Sequence, residues 1–385
     1  MNKLPAGWEI KKLKDICTIQ DGIHKTPKYT SKGIKFVSVE NINDLYNSNK
    51  FISEEDYNKM YKIKAKKNDI FMTRIGDIGT PAILNKDEKL AYYVTLCLFT
   101  NIDEEVFNKY LYYSIQSNYF KKELYYRTLH VAFPKKINLG DIGDCKFILP
   151  PLDEQKRIAS ALSKIDAYLE NTIKLIEEKE RFKRGIAKKL LTCKEGENIP
   201  EARFKGFEDE WKTKTLENIC KNIKTGKLNA NAMEKYGQYR FYTCAKDYYK
   251  INTYAFDGEA ILISGNGAHV GYVHYYNGKF NAYQRTYVLM DFTENILFIK
   301  YYLDIHLKYK INIENNKGNV PYIVLNTIKD MEIKFPSLEE QEKIGGYLSL
   351  LDEEIDNLKK QKELIKEIKR GAMQKLLSGE VRLLE

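Results

Sequence analysis

The sequence predicts an α+β protein with a pseudo-twofold internal repeat, in which two long helices separate two globular α/β units and form an antiparallel coiled coil within the chain. The segments Pro150–Thr192 and Pro336–Ser378 align without a gap and are identical at roughly 17 of 43 positions. Both have helical periodicity, and the sequence before each one mixes short β-rich runs with turn residues. This pattern divides the chain into four parts, which are residues 1–149, 150–195, 196–335 and 336–385.

The first globular unit, residues 1–149, is expected to combine strands with helices. Residues 34–39 and 69–73 are short runs rich in β-branched and aromatic side chains, a composition that is typical of strands. A later aromatic stretch begins at Phe107 and is expected to be helical. The unit ends where Pro150 begins the first repeat, because proline starts a helix well and continues a strand badly.

The central and distal helices, within residues 150–195 and 336–385, are predicted to pair with each other. Both have apolar residues in alternating steps of four and three, which is the a/d spacing of a coiled coil. These residues are Ile158, Leu162, Ile165, Leu169 and Ile176 in the central helix, and Ile344, Leu348, Leu351, Ile355, Leu358 and Ile365 in the distal helix. One such stripe fits a core helix or a homodimer. Two matched stripes favour an intramolecular antiparallel pair, because each offers the other an apolar surface.

The second globular unit, residues 196–335, is a diverged copy of the first. The motif Trp-x4-Leu begins at Trp8 and again at Trp211, and the motif Ile-x-Leu-x2-Ile-x-Asp begins at Ile137 and again at Ile323. Between these motifs the copies differ in length and in sequence, although both contain runs that are typical of strands. The helices have therefore stayed matched while the globular units have diverged.

The charge balance favours an anionic partner. The chain has 63 Lys and Arg residues against 53 Asp and Glu, which gives a net charge of +10; this is compatible with nucleic acid but does not identify it. The six cysteines are widely spaced, so neither a disulfide framework nor a metal site is expected. No apolar run approaches the roughly 18–20 residues that span a bilayer. We therefore expect no membrane association and a cytoplasmic location.

Three motifs resemble those of the specificity subunits of type I restriction–modification systems. The strongest is Leu149–Ile158, which contains Pro-Pro-Leu-x-Glu-Gln and recurs in part at Phe335–Ile344. The others are the start, Leu4–Trp8, and the stretch Pro200–Trp211 between the repeats. The resemblance spans nearly the whole chain. It implies two variable target-recognition domains, each reading one half of a split DNA sequence, and two helical regions that form a spacer and dock modification subunits.

The resemblance also implies the partners of the chain. These are double-stranded DNA, two modification (methyltransferase) subunits, and restriction or motor subunits. In such systems the modification subunits methylate adenine N6 with S-adenosylmethionine, and the motor subunit uses ATP with Mg²⁺. No cofactor is expected in this chain itself, because none of that catalysis belongs to it by resemblance.

The motifs of the chain agree that it is not itself an enzyme. The sequence lacks a phosphate-binding G-x-x-x-x-G-K-[ST] loop, and it lacks the Asn/Asp-Pro-Pro-Tyr/Phe motif that amino-group methyltransferases carry. The glycines within Gly265–Gly271 depart from the dinucleotide-binding spacing and predict a turn. An alternative from another class is a non-catalytic coiled-coil adaptor with two protein-binding heads. It accounts for the helices but not for the family motifs.

The length of the helices predicts a geometry for DNA reading. About 33 helical residues at 1.5 Å each give roughly 50 Å, and one turn of DNA is about 34 Å. Two different readers held by such a spacer would meet half-sites on one face of the DNA, about one turn or slightly more apart. We therefore expect an asymmetric bipartite target with an unread gap of about five to eight base pairs.

The candidate DNA-contacting residues carry groups that pair with base edges or phosphates, such as Arg with guanine and Asn with adenine. They are placed in turns and at strand ends. In the first unit they are His24, Lys25, Lys28, Tyr29, Thr73 and Arg74. In the second unit they are Lys224, Lys227, Asn229, Asn231, Arg240, Asn266, His269 and Arg285.

Other matched residues of the helices have less specific interpretations. Glu154 and Gln155, with their counterparts Glu340 and Gln341, are expected to lie exposed at the helix starts, where they would cap the helix or dock a partner. The run Lys183–Gly185 recurs near the end of the distal helix. We interpret it as a basic helix end that interacts favourably with the helix dipole, rather than as a phosphate site.

Overall fold

The structure is a computed structural model that describes residues 4–314 and 321–383. The chain forms two compact units. Unit 1 comprises Met1–Thr172 and Gln361–Glu385, and unit 2 comprises Ile173–Lys360. Each unit contains one globular part together with part of each long helix, so unit 1 is built from two separate stretches of the chain.

Unit 1 mixes short strands with helices, as the sequence predicts. Its strands are β1 (Glu9–Lys12), β2 (Thr18–Asp21), β3 (Ile34–Val37), β4 (Phe51–Ile52), β5 (Ile70–Ile75), β6 (Asp77–Ile83), β7 (Leu90–Tyr92), β8 (Leu96–Thr100) and β9 (Lys146–Leu149). Its helices are α1 (Glu54–Met60), α2 (Asn108–Ile115), α3 (Asn118–Arg127), α4 (Leu139–Gly143) and the first part of α5 (Leu152–Leu191). The predicted strands correspond to β3 and β5, and the predicted aromatic helix corresponds to α2.

One sheet of unit 1 has the strand order β2-β8-β5-β6, with antiparallel pairing throughout. β5 is buried from Ile70 to Arg74, because its two faces pack against different apolar clusters. Ile70 and Met72 belong to one cluster, and Phe71 belongs to the other. A strand buried on both faces leaves mainly its end near solvent, so functional groups on β5 are expected at that end.

Unit 2 has a larger sheet and longer strands. Its strands are β10 (Lys212–Thr215), β11 (Cys220–Thr225), β12 (Tyr239–Tyr242), β13 (Tyr249–Ile251), β14 (Phe256–Ser264), β15 (Val273–Ala282), β16 (Thr286–Phe292) and β17 (Glu332–Phe335). Its helices are α6 (Leu216–Ile219), α7 (Ile296–Glu314), α8 (Leu325–Lys329), the last part of α5, and the first part of α9 (Leu338–Ser378). The main sheet has the order β11-β16-β14-β15-β12-β13.

The turn predicted at Gly265–Gly271 is confirmed. It joins β14 to β15, which pair antiparallel from Phe256 with Phe280 to Ile263 with Val273. Gly267 and Gly271 have φ angles of +81° and +75°, a region of the backbone map that glycine enters without a steric cost. The glycines therefore shape a turn between two strands and not a dinucleotide site.

The two units share a framework and the connectivity of their main sheets, since the order β2-β8-β5-β6 corresponds to β11-β16-β14-β15. In each, the strand after the matched tryptophan pairs antiparallel with the strand before a long helix; these pairs are β1 with β9 and β10 with β17. The short helices α4 and α8 precede β9 and β17 in the same way. Elsewhere the units differ: α2 and α3 are separate helices, whereas α7 is continuous. The predicted diverged repeat is confirmed.

The two long helices bury the predicted apolar stripes. α5 has 40 residues and α9 has 41, so both are longer than the roughly 33 residues expected from the sequence. The buried residues of the stripes are Ile158, Leu162 and Ile176 in α5 and Ile344, Leu348, Leu351, Ile355 and Ile365 in α9. The predicted buried faces are therefore correct for these positions, although Ile158 and Leu162 also pack against Trp8 and Tyr110 of the globular part.

The helices run antiparallel within each unit. Going forward along α5, the partner residues on α9 go backward. The pairs are Asp166 with Lys369 and Tyr168 with Gln361 in unit 1, and Lys179 with Glu354 and Lys183 with Asp352 in unit 2. The predicted antiparallel coiled coil is confirmed.

Matched residues of the repeat pair reciprocally. Asp166 and Asp352 occupy equivalent positions of the two copies, and so do Lys183 and Lys369. In unit 1 the lysine of the second copy meets the aspartate of the first, and in unit 2 the lysine of the first copy meets the aspartate of the second. Lys183 also lies over the ring of Tyr301, 5.0 Å from its centroid. These contacts give the basic run a structural role in helix pairing.

Candidate nucleic-acid interface

The end of β5 brings three polar side chains of unit 1 together. Arg74 is 7% exposed, and its Nη1 donates to Asp21 Oδ2 at 3.2 Å and to Val94 O at 3.2 Å. His24 Nε2 lies 2.9 Å from the same carboxylate. Arg74 Nε donates to Ile137 O at 3.1 Å. The guanidinium therefore holds neighbouring segments in place, and its role as a DNA contact stays a prediction.

The Thr73 side chain also forms its hydrogen bonds within unit 1. Its Oγ1 accepts a hydrogen bond from the backbone N of Thr80 at 2.9 Å and lies 3.4 Å from Asp77 Oδ2. Thr80 Oγ1 donates to the same carboxylate at 2.6 Å. Since Thr73 is fully buried, it shapes the hairpin between β5 and β6, and a direct contact with DNA would require that network to open.

The loop after β2 carries the accessible candidates of unit 1. Lys25 and Lys28 are exposed, and Tyr29 is 44% exposed with its ring edge against Phe36. Lysine side chains of this kind suit phosphate contacts, which position a protein on DNA without reading bases. The loop begins at Asp21, the residue that joins it to Arg74 at the end of β5.

A cleft in unit 2 contains a comparable strand end. It is lined by Thr225 at the end of β11, by Gly265 after β14, and by Gln284, Arg285, Tyr287 and Ile323. Arg285 is exposed at this cleft. A Cβ on Gly265 would lie 2.3 Å from the Arg285 carbonyl oxygen, so only glycine allows this close approach. The cleft therefore places Arg285 beside the turn that carries Asn266 and His269.

The remaining candidates of unit 2 divide into two groups. Lys224, Lys227, Asn229 and Asn231 are exposed on and after β11, and Asn229 Oδ1 accepts from Gln284 Nε2 at 3.0 Å. That bond joins their segment to Arg285 through the neighbouring residue. Asn266 and His269 are half-buried in the turn after β14. The structure thus brings most of the candidates of unit 2 to one end of its main sheet.

Arg240 is the exception. Its guanidinium lies 4.3 Å from the ring centroids of both Tyr248 and Tyr276, and Nη1 donates to Tyr242 Oη at 3.2 Å. Two aromatic rings therefore contact the guanidinium, an arrangement that stabilises the cation. Arg240 thus packs among the aromatic side chains beside β12, and its role as a DNA contact stays a prediction.

The sequence patterns missed one segment at the end of β5. Gly76 N donates to Lys135 O at 2.8 Å, and Ile137 N donates to Arg74 O at 3.1 Å. The segment that includes Lys135, Lys136 and Ile137 is thus an extra edge on this strand end. The recurring Ile-x-Leu motif begins at Ile137, but the residues before it show no similarity between the copies, so the sequence carries no signal for them.

Unit 2 has the same backbone arrangement. Gly267 N donates to Pro321 O at 3.0 Å, and Ile323 N donates to Gly265 O at 2.8 Å. Ile323 is the counterpart of Ile137 in the repeat. Both units therefore present the segment before the matched motif at the strand end where their candidate residues gather.

The expectation that Glu154, Gln155, Glu340 and Gln341 lie exposed is wrong. All four are at most 1% exposed. Gln155 accepts from Phe107 N at 2.8 Å and donates to Pro150 O at 2.8 Å, and Gln341 makes the equivalent bonds in unit 2. These side chains tie the helix starts to the globular units, so docking a partner is excluded as their direct role.

The buried glutamate of unit 1 is held ionised by its neighbours. Glu154 accepts from Arg382 Nη2 at 2.7 Å and from Trp8 Nε1 at 2.9 Å. Burial alone would raise the pKa of Glu154, but the hydrogen bonds from Arg382 and Trp8 outweigh it, so the pKa of Glu154 is lowered. The carboxylate therefore acts as a charged anchor that joins the start of α5 to Trp8 and Arg382.

Burial keeps several of the cysteine thiols protonated. All six cysteines are free. Burial raises the pKa of Cys17 and of Cys145 to about 12 and that of Cys220 to about 11, so these thiols stay protonated at neutral pH. Residues 4–314 and 321–383 contain no group of His, Cys, Asp and Glu side chains that could hold a metal ion. The same residues contain no helix that is long and apolar enough to cross a bilayer.

The chain matches the family model for the type I restriction modification DNA specificity domain over residues 5–178 and 208–367. The two matches fall on the two copies of the repeat and together cover most of the chain. The chain therefore belongs to this family of DNA specificity proteins.

Curated relatives carry the corresponding names. The EcoDI specificity subunit of a type I restriction enzyme from Escherichia coli is 39% identical over 170 residues, which cover 44% of this chain and 37% of that protein. The putative MjaX specificity subunit of Methanocaldococcus jannaschii is 27% identical over 416 residues, covering 100% of this chain and 96% of that protein. The chain thus spans little more than a third of the first relative and nearly all of the second.

Solved structures share the fold. The crystal structure of a type I restriction–modification S subunit from M. genitalium has a TM-score of 0.65 at 19% identity, covering 98% of this chain and 97% of that chain. A chain from a type I restriction–modification system whose assembly and conformational transition were studied has a TM-score of 0.57 at 15% identity, covering 99% and 100%. These similarities confirm the predicted fold class. The adaptor alternative receives no support from any of these relatives.

Proposed function

We propose that the chain reads an asymmetric bipartite DNA sequence for a type I restriction–modification complex, with one half-site bound by each globular unit. The observation that carries this proposal is the contrast within the repeat. The helix starts and the Asp–Lys pairs are matched between the copies, whereas the candidate residues at the sheet ends differ in sequence. Different side chains on corresponding sheets suit different half-sites, and matched helices suit a constant spacing between them.

The chain is proposed to be non-catalytic and to act in the cytoplasm with partner subunits. Two modification subunits would methylate adenine N6 with S-adenosylmethionine, and motor subunits would use ATP with Mg²⁺. Each unit is proposed to offer its own docking surface of large apolar side chains that its parts of α5 and α9 leave exposed, because unpaired apolar groups on an ordered helix suit a partner interface. These are Tyr168, Leu364 and Ile368 in unit 1, and Leu175, Phe182 and Leu350 in unit 2.

Reconstitution with a modification partner tests the proposed non-catalytic role and the proposed docking of the modification subunits. DNA carrying the target and S-adenosylmethionine are incubated with this chain, with the modification subunit, and with the two together. We expect methyl transfer only from the mixture, and the two proteins should copurify. Leu364→Asp with Ile368→Asp should reduce copurification, and Tyr309→Asp, at an exposed position of α7, serves as the control. Methylation by this chain alone would contradict the non-catalytic role.

A further inference from the structure

An exposed apolar tip lies beside the end of β5 in unit 1. It is the turn 130–135, in which Val131 is 99% exposed and Phe133 is 104% exposed. Tyr125 and Tyr126, at 63% and 78% exposed, precede it at the end of α3. Single exposed apolar side chains are ordinary, but a cluster of large ones on a polar surface is typical of an interaction site.

The backbone holds this tip in place. Leu129 N donates to Lys136 O at 2.8 Å and closes the turn, and Ala132 N donates to Leu129 O at 3.3 Å within it. Gly76 N donates to Lys135 O at 2.8 Å, which fixes the turn to the end of β5. His130 joins the turn to the end of α3, since its ring lies against the Tyr125 ring with 4.5 Å between the centroids and its Nε2 lies 2.8 Å from Tyr125 O.

The surroundings of the tip are mostly cationic. Lys135 and Lys136 follow Phe133 directly and are exposed. Lys121 lies with Lys135 in a cleft at the base of the tip, where Asp77 is the acidic residue. Phosphates on either side of a DNA groove would meet these lysines while an apolar group enters the groove. This combination matches the chemistry of side chains that enter between base pairs.

The position of the tip agrees with a DNA partner. The bond from Gly76 and the pairing of Ile75 with Lys136 join it to the end of β5, which carries Thr73 and Arg74. Arg74 in turn contacts Asp21, which carries the loop with Lys25 and Lys28. The tip and the accessible cations of unit 1 are thus supported by the same strand end.

We propose that Val131 and Phe133 form a wedge that enters between base pairs of the half-site read by unit 1, while Lys135 and Lys136 contact the flanking phosphates. This inference rests on the proposed function and adds to it a specific pair of base-contacting residues. The corresponding positions of unit 2 fall largely on residues 315–320, which lie outside the described residues, so the inference concerns unit 1.

The proposal is tested directly by measuring whether bases unstack where Val131 and Phe133 would enter the duplex. 2-Aminopurine is placed at successive positions of a duplex that carries the target, excluding the adenines that are methylated, and its fluorescence rises when neighbouring bases unstack. The complex of the full chain with its modification subunits should raise the fluorescence at one step of one half-site. Phe133→Ala should abolish that rise, Phe133→Leu should keep part of it, and Tyr309→Ala should leave it unchanged.

The affinity of the complex for DNA and its salt dependence distinguish the role of Phe133 from that of Lys135 and Lys136. Phe133→Ala should weaken binding on the order of tenfold, the scale of a lost base–aromatic contact, and should leave the slope of log K against log salt unchanged. Lys135→Ala and Lys136→Ala should each reduce that slope by about one. If the wild-type complex binds its target selectively and Phe133→Ala matches it in affinity and in every 2-aminopurine position, the wedge is overturned and the proposed function stands. If the wild-type complex shows no selective binding, the proposed function itself is overturned.

Discussion

Two buried glutamates are each held by an arginine that is distant in sequence. Glu340 accepts from Arg203 at 2.9 and 2.8 Å, and Glu154 accepts from Arg382 at 3.1 and 2.7 Å. Arg203 follows α5 and Arg382 follows α9, each in the sequence Glu-x-Arg. In both units the chain that leaves the end of one helix therefore returns to the start of the other helix and neutralises a buried charge there.

Removing one of these arginines should destabilise unit 2. Arg203→Ala leaves the Glu340 carboxylate buried without its cation, since Glu340 is fully buried, and breaking such a pair costs about 3 kcal/mol. Urea denaturation measures the change in the free energy of unfolding. Arg181→Ala, at an exposed position of α5, is the matched control and should change it by less than about 0.5 kcal/mol. Equal effects of the two variants would contradict this account of the pair.

The stabilisation by Glu154 should depend on pH. The pKa of Glu154 in the folded protein is below its ordinary value of 4.5, so the ionised group stabilises the fold above that pH and the stabilisation is lost as the pH falls through the folded pKa. Glu154→Gln lacks this contribution. The difference in unfolding free energy between wild type and variant should be largest near neutral pH and should shrink below pH 4.5. A difference that is constant with pH would contradict the role of the charge.

At the scale of elements, the pairing of α5 with α9 depends on the apolar stripe. Leu348 is fully buried, whereas Leu350, two residues further along α9, is 62% exposed. Leu348→Ala should lower the free energy of unfolding by about 3 kcal/mol, because it removes buried methyl groups and leaves a cavity. Leu350→Ala should lower it by less than about 0.5 kcal/mol. Denaturant unfolding of both variants checks this, and comparable losses would show that the stripe has been assigned to the wrong face.

The sequence predicted the helices better than the sheets for a physical reason. Helix periodicity is local, so Ile344, Leu348 and Leu351 indicate their own buried face. Sheet order depends on pairings between distant segments, such as β5 with β8, and local patterns do not contain them. Glu154 and Gln155 were placed on the surface because such residues are usually exposed; their partners Arg382 and Phe107 lie far away in sequence, so their burial could not be read locally.

At the scale of the whole molecule, the repeat predicted the division into two units and two helices. Which residues come together in each candidate site depends on the tertiary structure and could not be predicted. The sequence located the neighbourhoods of Arg74 and Arg285, because turn residues and strand ends carry a local signal. It did not show that Arg74 is committed to Asp21 and backbone carbonyls, or that the exposed Phe133 lies at the same strand end. Those facts depend on the tertiary contacts of β5.

The central claim is that one chain carries two different readers at a spacing that its paired helices set. Methylome sequencing of a host that expresses this chain with its modification partner measures the target directly. The account predicts an asymmetric sequence of two half-sites separated by an unread gap of about five to eight base pairs. A palindromic target, or a continuous one without a gap, would contradict it.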